Sequence, residues 1–434
     1  MAILFGWIVV GSLIGLAVMQ STFVWIYCRF LRSSIPFTND QSDTYSPRVA
    51  IILCLRGADP SLTQCLTGIF SQNYKDKTGA PNYQIHFVVD DKHDPALEVV
   101  QNFVEKNNSS QIEIRTHVLN PSDVQGSLKC TALVTAIYEL EDSKSSAIDV
   151  IALVDADARV DAGWLADLVG PLAYSAVGAT TGNRWFAPND NGLGSLVRQT
   201  WNAAAVAQMS FYQIPWGGSL ALRVSTIHQC DLLERWSQAF CEDTLLLGAL
   251  KKEDLTVVRV PNLILSSDES IGLKDATRWI SRQLLTVRLY HRDWPLVLCH
   301  GLFVGFCLIG AITSSLWLLA QSQWMMASFV AGSLILMQTI NLWLLRKVTF
   351  ENEQHIRKRI PHAKLKSAGV VNTFLGAIAT QLVQPLAALN AAMRKNVSWR
   401  GVAYEIGPKK TIKLTRYVAY RDVETQSESG NSID

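Results

Sequence analysis

Two stretches of this chain contain no charged side chain: Ala2 to Cys28, which ends at Arg29 and Arg32, and Pro295 to Leu345. A membrane-crossing helix takes roughly 20 apolar residues, so the first stretch predicts one helix and the second a hairpin of two, with a turn near Gln321-Ser322-Gln323. The first reads as an uncleaved anchor over residues 1–30. Its apolar run is too long for a signal-peptide core, no basic residue precedes it, and no small-x-small cleavage site follows. Arg29 and Arg32 place its C-terminal end, and the polar chain beyond, in the cytoplasm. A third apolar segment, 369–393, is interrupted by Asn372, Gln381, Gln384, Pro385 and Asn390, with basic flanks on both sides. It is expected to lie in the membrane interface or to re-enter from the same side.

Between the apolar ends the pattern changes period. A polar linker, Ser33–Pro47, leads to the apolar run Val49–Leu55, which has the look of a central parallel strand. Further strands are predicted at Ile85–Val89, Ile112–Val118 and Val150–Val154. Helices are predicted at Pro60–Gln72, Pro95–Lys106 and Lys129–Leu140. Strands alternating with helices imply an α/β domain over 45–274 with a mostly parallel sheet. In 275–294, apolar Ile280, Leu284, Val287 and Trp294 recur among Arg278, Arg282, Arg288 and Arg292. That is the pattern of an amphipathic helix in the headgroup layer, which its run into the apolar hairpin favours; the alternative is a surface helix packed on the sheet domain. The hairpin at 295–345 is followed by a basic cytoplasmic loop, 346–368, and a tail, 394–434. The tail is expected to pack on the cytoplasmic domain up to about Lys413 and to be disordered over 424–434.

Composition narrows the partners. The net charge of +2 does not point to nucleic acid. The eight cysteines form no C-x-x-C pair and fit reduced thiols in a cytoplasmic domain, with neither a zinc site nor a disulfide framework. A multi-pass integral membrane protein with a cytoplasmic globular domain follows.

The candidate chemistry sits at strand ends, where open α/β sheets bind ligands. Asp155 and Asp157 follow Val150–Val154, and residues i and i+2 of a strand point the same way. Two such carboxylates suit a divalent cation, Mg2+ or Mn2+, shared with a diphosphate. The alternative is an acidic surface loop. Asp90, Asp91 and Asp94 fall at the end of the Ile85–Val89 strand. Trp216, Gly217 and Gly218 suit a sugar, with an indole face for the ring and glycines that let the backbone approach, or form an ordinary turn. Glu242 and Asp243 open an apolar stretch, where an acid is either a helix cap or a general base.

Several motifs together carry a resemblance: "LRGADPSLTQCL" (55–66), "VVDDKHDPA" (88–96), "GSLKCTAL" (126–133), "VDADARV", "WGGSLALR", "CEDTLLL" and "VSWRGVAYEI" (397–406). From Arg48 to Tyr404 the chain resembles family 2-type membrane glycosyltransferases of the GT-A fold, and most closely ceramide glucosyltransferase-like enzymes. The resemblance implies that Asp94, with Asp90 and Asp91 nearby, helps bind the nucleotide of the donor. It implies that Asp155 and Asp157 hold the metal and diphosphate, that Lys129 sits near the donor, and that Asp243 is the catalytic base, with Glu242 next in line. The family's Q/R-x-x-R-W motif is matched by Arg278-Trp279, with an acid, Asp275, at its front; Arg282 and Gln283 are a turn away. The implied reaction is inverting transfer of a hexose from a nucleotide sugar, UDP-glucose as first guess, to a lipid acceptor at the bilayer. The rival expectations are a processive polysaccharide synthase of the same fold and a catalytically inactive membrane scaffold.

Overall fold

The computed structural model describes residues 2–33, 45–107, 111–120, 124–142, 147–363, 365–366 and 368–423. The expected linker over 34–44, Lys364 of the basic loop and the expected disordered end at 424–434 lie outside the described residues.

A seven-stranded sheet forms the centre, in the order β3-β2-β1-β4-β6-β5-β7. Its strands are β1 (Val49–Leu55), β2 (Tyr83–Val89), β3 (Glu113–Val118), β4 (Val150–Val154), β5 (Val177–Phe186), β6 (Ser219–Arg223) and β7 (Thr256–Ser267). The α/β expectation and the mostly parallel sheet are borne out. β1 to β4 pair in parallel, and helical crossovers α2 (Leu62–Phe70), α3 (Pro95–Asn107) and α4 (Leu128–Asp142) connect them. β6 runs antiparallel to both β4 and β5. β1 is apolar on both faces because both are covered. Ile51 and Leu53 pack with Leu62, Leu66 and Trp164 on one side, and Ala50 and Ile52 with Leu133 and Ile137 on the other. Pro261 sits in the edge strand β7 where its register against β5 slips, between Arg259 and Ile264, so its missing N–H costs no ladder bond.

Four helices among the described residues are long and apolar enough to cross a membrane: α1 (Ala2–Arg32), α7 (Trp294–Ala320), α8 (Trp324–Arg359) and α9 (Val370–Met393). α8 runs well past its apolar part. Near its end Arg359 donates to both carboxylate oxygens of Asp161, at 2.6 and 2.7 Å, and also pairs with Asp167. Glu351 of α8 pairs with Arg32 at the end of α1, and Tyr27 donates to Asn352 at 2.6 Å.

Two further helices, α5 (Leu193–Tyr212) and α6 (Leu273–Tyr290), lie beside α9. Gly376 of α9 sits so close to Leu196 and Thr200 of α5 that an added Cβ would come within 3.1 Å of them. Arg288 of α6 donates to the carbonyls of Ala391 and Ala392 at the end of α9. α9 is one unbroken helix that accommodates Pro385. Both of its flanks return to the sheet domain. Lys366, just before it, donates to the carbonyl of Asn189. Just after it comes a small antiparallel sheet, β8 (Asn396–Trp399), β9 (Val402–Ile406) and β10 (Ile412–Tyr417). There the Tyr404 hydroxyl accepts from the Leu128 N–H, and the Tyr417 hydroxyl donates to the Asp90 carbonyl.

Candidate active site

β4 ends at Val154 and delivers Asp155 and Asp157 to the carboxyl edge of the sheet. They stand in a chain of alternating charge. Lys129, from the start of α4, reaches Asp155 at 2.9 Å and Glu242 at 2.7 Å. Arg184, on β5, pairs with Asp157 and approaches Asp155 at 3.4 Å. The Arg184 guanidinium also lies over the Trp216 and Phe186 rings, 5.1 and 5.3 Å from their centroids. Arg184 was absent from the sequence expectation. Its signal was an arginine inside "GATTGNRWF", a segment otherwise free of charge.

The electrostatics follow from this order. Burial pushes the Asp157 carboxyl up, against the pull of Arg184, and Asp155 beside it adds to the rise. Burial acts the same way on Asp155, but Lys129 and Arg184 together outweigh it and hold that carboxyl below its usual range. Glu242 is raised, by burial first and by Asp243 next to it, with Lys129 opposing. Lys129 stays charged well above its normal range: burial opposes this, and Asp155 and Glu242 prevail.

Gly217 and Gly218 are required by these carboxylates. A Cβ on Gly217 would lie 1.8 Å from Glu242 Oε1, and one on Gly218 2.4 Å from Asp155 Oδ2. The backbone approach expected at these glycines is therefore made toward acids of the site itself. Asp243 diverges from Glu242. One Asp243 oxygen accepts from the Gly217 N–H at 2.9 Å, the other from Thr244, and the side chain lines a chamber with Arg184, Trp216, Trp279 and Gln283. Glu242 is turned away into its pair with Lys129.

The other expected residues divide. On α6, Trp279 and Gln283 face the chamber. Arg282 stacks on Trp399, is felt electrostatically at Asp155, and is pulled down to about 10, chiefly by burial and then by Arg400. Arg278 is not brought in with them. It lies on another face of the helix, with 45% of its side chain exposed and Asp275 3.7 Å away. Asp90 is buried in a pair with Arg56. Both Asp94 oxygens accept from the Gly57 N–H at 3.0 Å, and one also accepts from the Ala96 N–H, so this carboxylate ties the end of β1 to the start of α3. Asp91 is only part-buried, with one oxygen accepting from the His93 N–H.

Among the described residues no three His, Cys, Asp or Glu side chains converge as a ready-made metal cage. Asp155 and Asp157 do present two oxygens to one cationic group, Arg184. Mg2+ and Mn2+ sites commonly use one or two carboxylates and complete the shell with water and substrate phosphates, so this pair fits such an ion.

Known proteins bear on this site. The sequence profile described as Glycosyl transferase family 21 matches residues 7–412. A ceramide glucosyltransferase of Candida albicans is 36% identical over 78 residues, a match that spans 18% of this chain and only 13% of that enzyme. A mannosyltransferase from Pyrobaculum calidifontis, solved with GDP-Man and Mn2+, aligns over 91% of this chain and 99% of its own, with a TM-score of 0.49 and 15% identity. A glucosyl-3-phosphoglycerate synthase from Mycobacterium tuberculosis, solved with Mn2+ and UDP-glucose, aligns over 59% of this chain and 84% of its own, with a TM-score of 0.33 and 13% identity. With its profile match spanning nearly the whole chain, and with a mixed, mostly parallel sheet of GT-A type, the protein belongs to glycosyl transferase family 21.

Proposed function

We propose that this protein is a membrane-bound inverting glycosyltransferase that moves a hexose from a nucleoside-diphosphate sugar to a lipid acceptor. One observation carries the reading: Asp243 faces a chamber whose far wall is α5 and α6, and Arg184 on the wall of that chamber joins it to the alternating charges of Asp157, Asp155 and Lys129.

In this reading Asp243 accepts the proton of the acceptor hydroxyl. Its carboxylate is oriented by the Gly217 and Thr244 N–H groups, the second-partner arrangement that a general base needs. Lys129 and Arg184, with Arg282 behind them, supply positive charge where the nucleoside diphosphate departs. Glu242 positions Lys129. Trp216 offers an aromatic face toward the sugar. Asp155 and Asp157 would hold a divalent cation, which when bound neutralises charge building on the diphosphate. One displacement inverts the anomeric centre, giving a β-linked product from an α-linked donor. UDP-glucose is the donor to try first. Of the nucleotide-side acids, Asp91 is part-exposed and Asp90 keeps one oxygen, Oδ1, without a partner among the described residues while the other pairs with Arg56, whereas both oxygens of Asp94 are taken by backbone N–H groups.

The same reading sets the topology. The sheet domain lies on the cytoplasmic side, with the arginines after α1. α9, tied to that domain at both flanks, lies with α5 and α6 in the membrane interface and does not cross. α1, α7 and α8 cross.

The test is transfer by the purified protein in lipid nanodiscs, with radiolabelled UDP-sugars and a panel of bilayer lipids, products being identified by mass spectrometry. A single-sugar glycolipid is expected. Donor hydrolysis with no glycosylated lipid would overturn the acceptor assignment, a polymeric product would make it a synthase, and absence of both would leave a scaffold.

A further inference from the structure

The chamber at Asp243 does not end at α6. Trp201, Ala205, Gln208 and Leu284 line it and also line a second cavity, deeper in the helices. That cavity is lined by six helices, with Gln20 on α1, Ala204 on α5, Leu284 on α6, His300 on α7, Asn341 on α8 and Ala377 on α9 at its wall. At the junction the Trp201 indole N–H donates to Gln384 of α9.

Its lining is mostly apolar, yet it holds polar atoms that need partners. Both ring nitrogens of His300 and the Oε1 of Gln20 are buried with no hydrogen-bond partner among the described residues. Nearby amides are satisfied: Gln338 and Gln381 bond each other reciprocally at 2.9 and 2.8 Å. An unmet buried donor or acceptor is destabilising, so orphans on a cavity wall mark where a guest's polar group belongs.

We infer that this cavity is the chain-binding subsite of the acceptor. One hydrocarbon chain of the lipid threads from Asp243 past Trp201 and Gln384, and a hydroxyl or amide group carried on that chain beyond the junction is met by His300 and Gln20. The proposal rests on the lipid-acceptor reading and adds where the chain goes and what selects it. Ala204 is the position where added bulk shortens the space. His300 makes the site prefer chains with a hydrogen-bonding group, because a site built for such a group discriminates against the analogue lacking it. A bilayer lipid that merely fills the space would offer the same chemistry, so the two sources must be told apart.

The experiment uses the full chain in nanodiscs, a short-chain (hexanoyl) and a long-chain (palmitoyl) acceptor that share one head group, and the variants Ala204→Phe and His300→Phe. Ala204→Phe is expected to lower kcat/KM for the long-chain acceptor at least about 10-fold relative to the short-chain one. His300→Phe is expected to shrink the preference for a chain bearing a hydroxyl or amide over its plain counterpart, and His300→Gln to restore part of it. In a second measurement, a diazirine placed on the chain of the acceptor is expected to label peptides containing Gln20, Ala204 or His300. Equal losses on both acceptors, or labelling by photoreactive phosphatidylcholine alone, would overturn the inference. If the unaltered protein transfers sugar to neither acceptor, the lipid reading fails and this subsite with it. If it transfers to both and the variants do not separate them, only the subsite fails.

Discussion

The two ends of the chamber beside Asp243 are built from different materials. At the strand ends Asp155, Asp157, Glu242 and Asp243 are interleaved with Lys129 and Arg184, and glycines admit the carboxylates. At the membrane end Trp201, Gln384, Thr200 and Thr380 join helices by neutral hydrogen bonds across apolar surface. The first end concentrates charge, and each group there fixes the state of the next. The second end has no charge to lose and works by shape. Substitutions should therefore act through turnover at one end and through acceptor choice at the other.

The largest effect is expected from Asp155→Asn and Asp157→Asn. Both should abolish transfer and weaken Mn2+-dependent nucleotide binding, read by titration calorimetry, while the unfolding midpoint stays near that of the unaltered protein. Full activity in both variants would remove the cation from this pair. Asp243→Asn comes next, with a fall in turnover of roughly 10²–10⁴-fold and nucleotide binding preserved. Collapse of nucleotide affinity would instead make Asp243 a binding group and pass the base to Glu242. Arg184→Gln should lower turnover about 100-fold if its charge faces the departing diphosphate, with the acceptor KM unmoved. A change in acceptor KM alone would place Arg184 at the wrong end of the comparison. The smallest effect belongs to the membrane end: Gln384→Ala should cost about 1 kcal/mol of stability, seen as a small drop in thermal midpoint, with turnover on a short-chain acceptor little altered.

The same contrast explains what could be read from the sequence. β1 and β4 were legible because both faces are buried, which leaves an uninterrupted apolar run, and the run of β4 ends in acids at the carboxyl edge of the sheet. β5 was not, since its ten residues include Gly178, Thr180, Thr181, Gly182, Asn183 and Arg184, polar groups bonded inside the protein. Arg184 was lost with it. β7 was hidden by Pro261, which a bulged edge strand tolerates. The resemblance located the Arg-Trp pair, and helical phase then divided it. Trp279 and Gln283 are four residues apart and share the face toward the chamber; Arg278 and Arg282 share a neighbouring face, on which Arg282 is felt electrostatically at Asp155 while Arg278 lies further along, half-exposed beside Asp275. The cavity behind Trp201 draws on six helices spread from α1 to α9, a juxtaposition that no local pattern reports.

The bond between the end of β1 and the C-terminal sheet has a consequence for biosynthesis. Arg56 is buried against Asp90, and its guanidinium also donates to the carbonyls of Arg400 and Val418, while Arg400 donates to the carbonyl of Arg56. Those acceptors lie 344 and 362 residues beyond Arg56, later in the chain than the four long apolar helices. Until they are made, this edge of the sheet offers Arg56 the Asp90 carboxylate but none of these carbonyls. This corner is therefore expected to close only once the C-terminal sheet has been synthesised, and a chain cut before Arg400 would carry the sheet and the helices with part of the Arg56 guanidinium unmet.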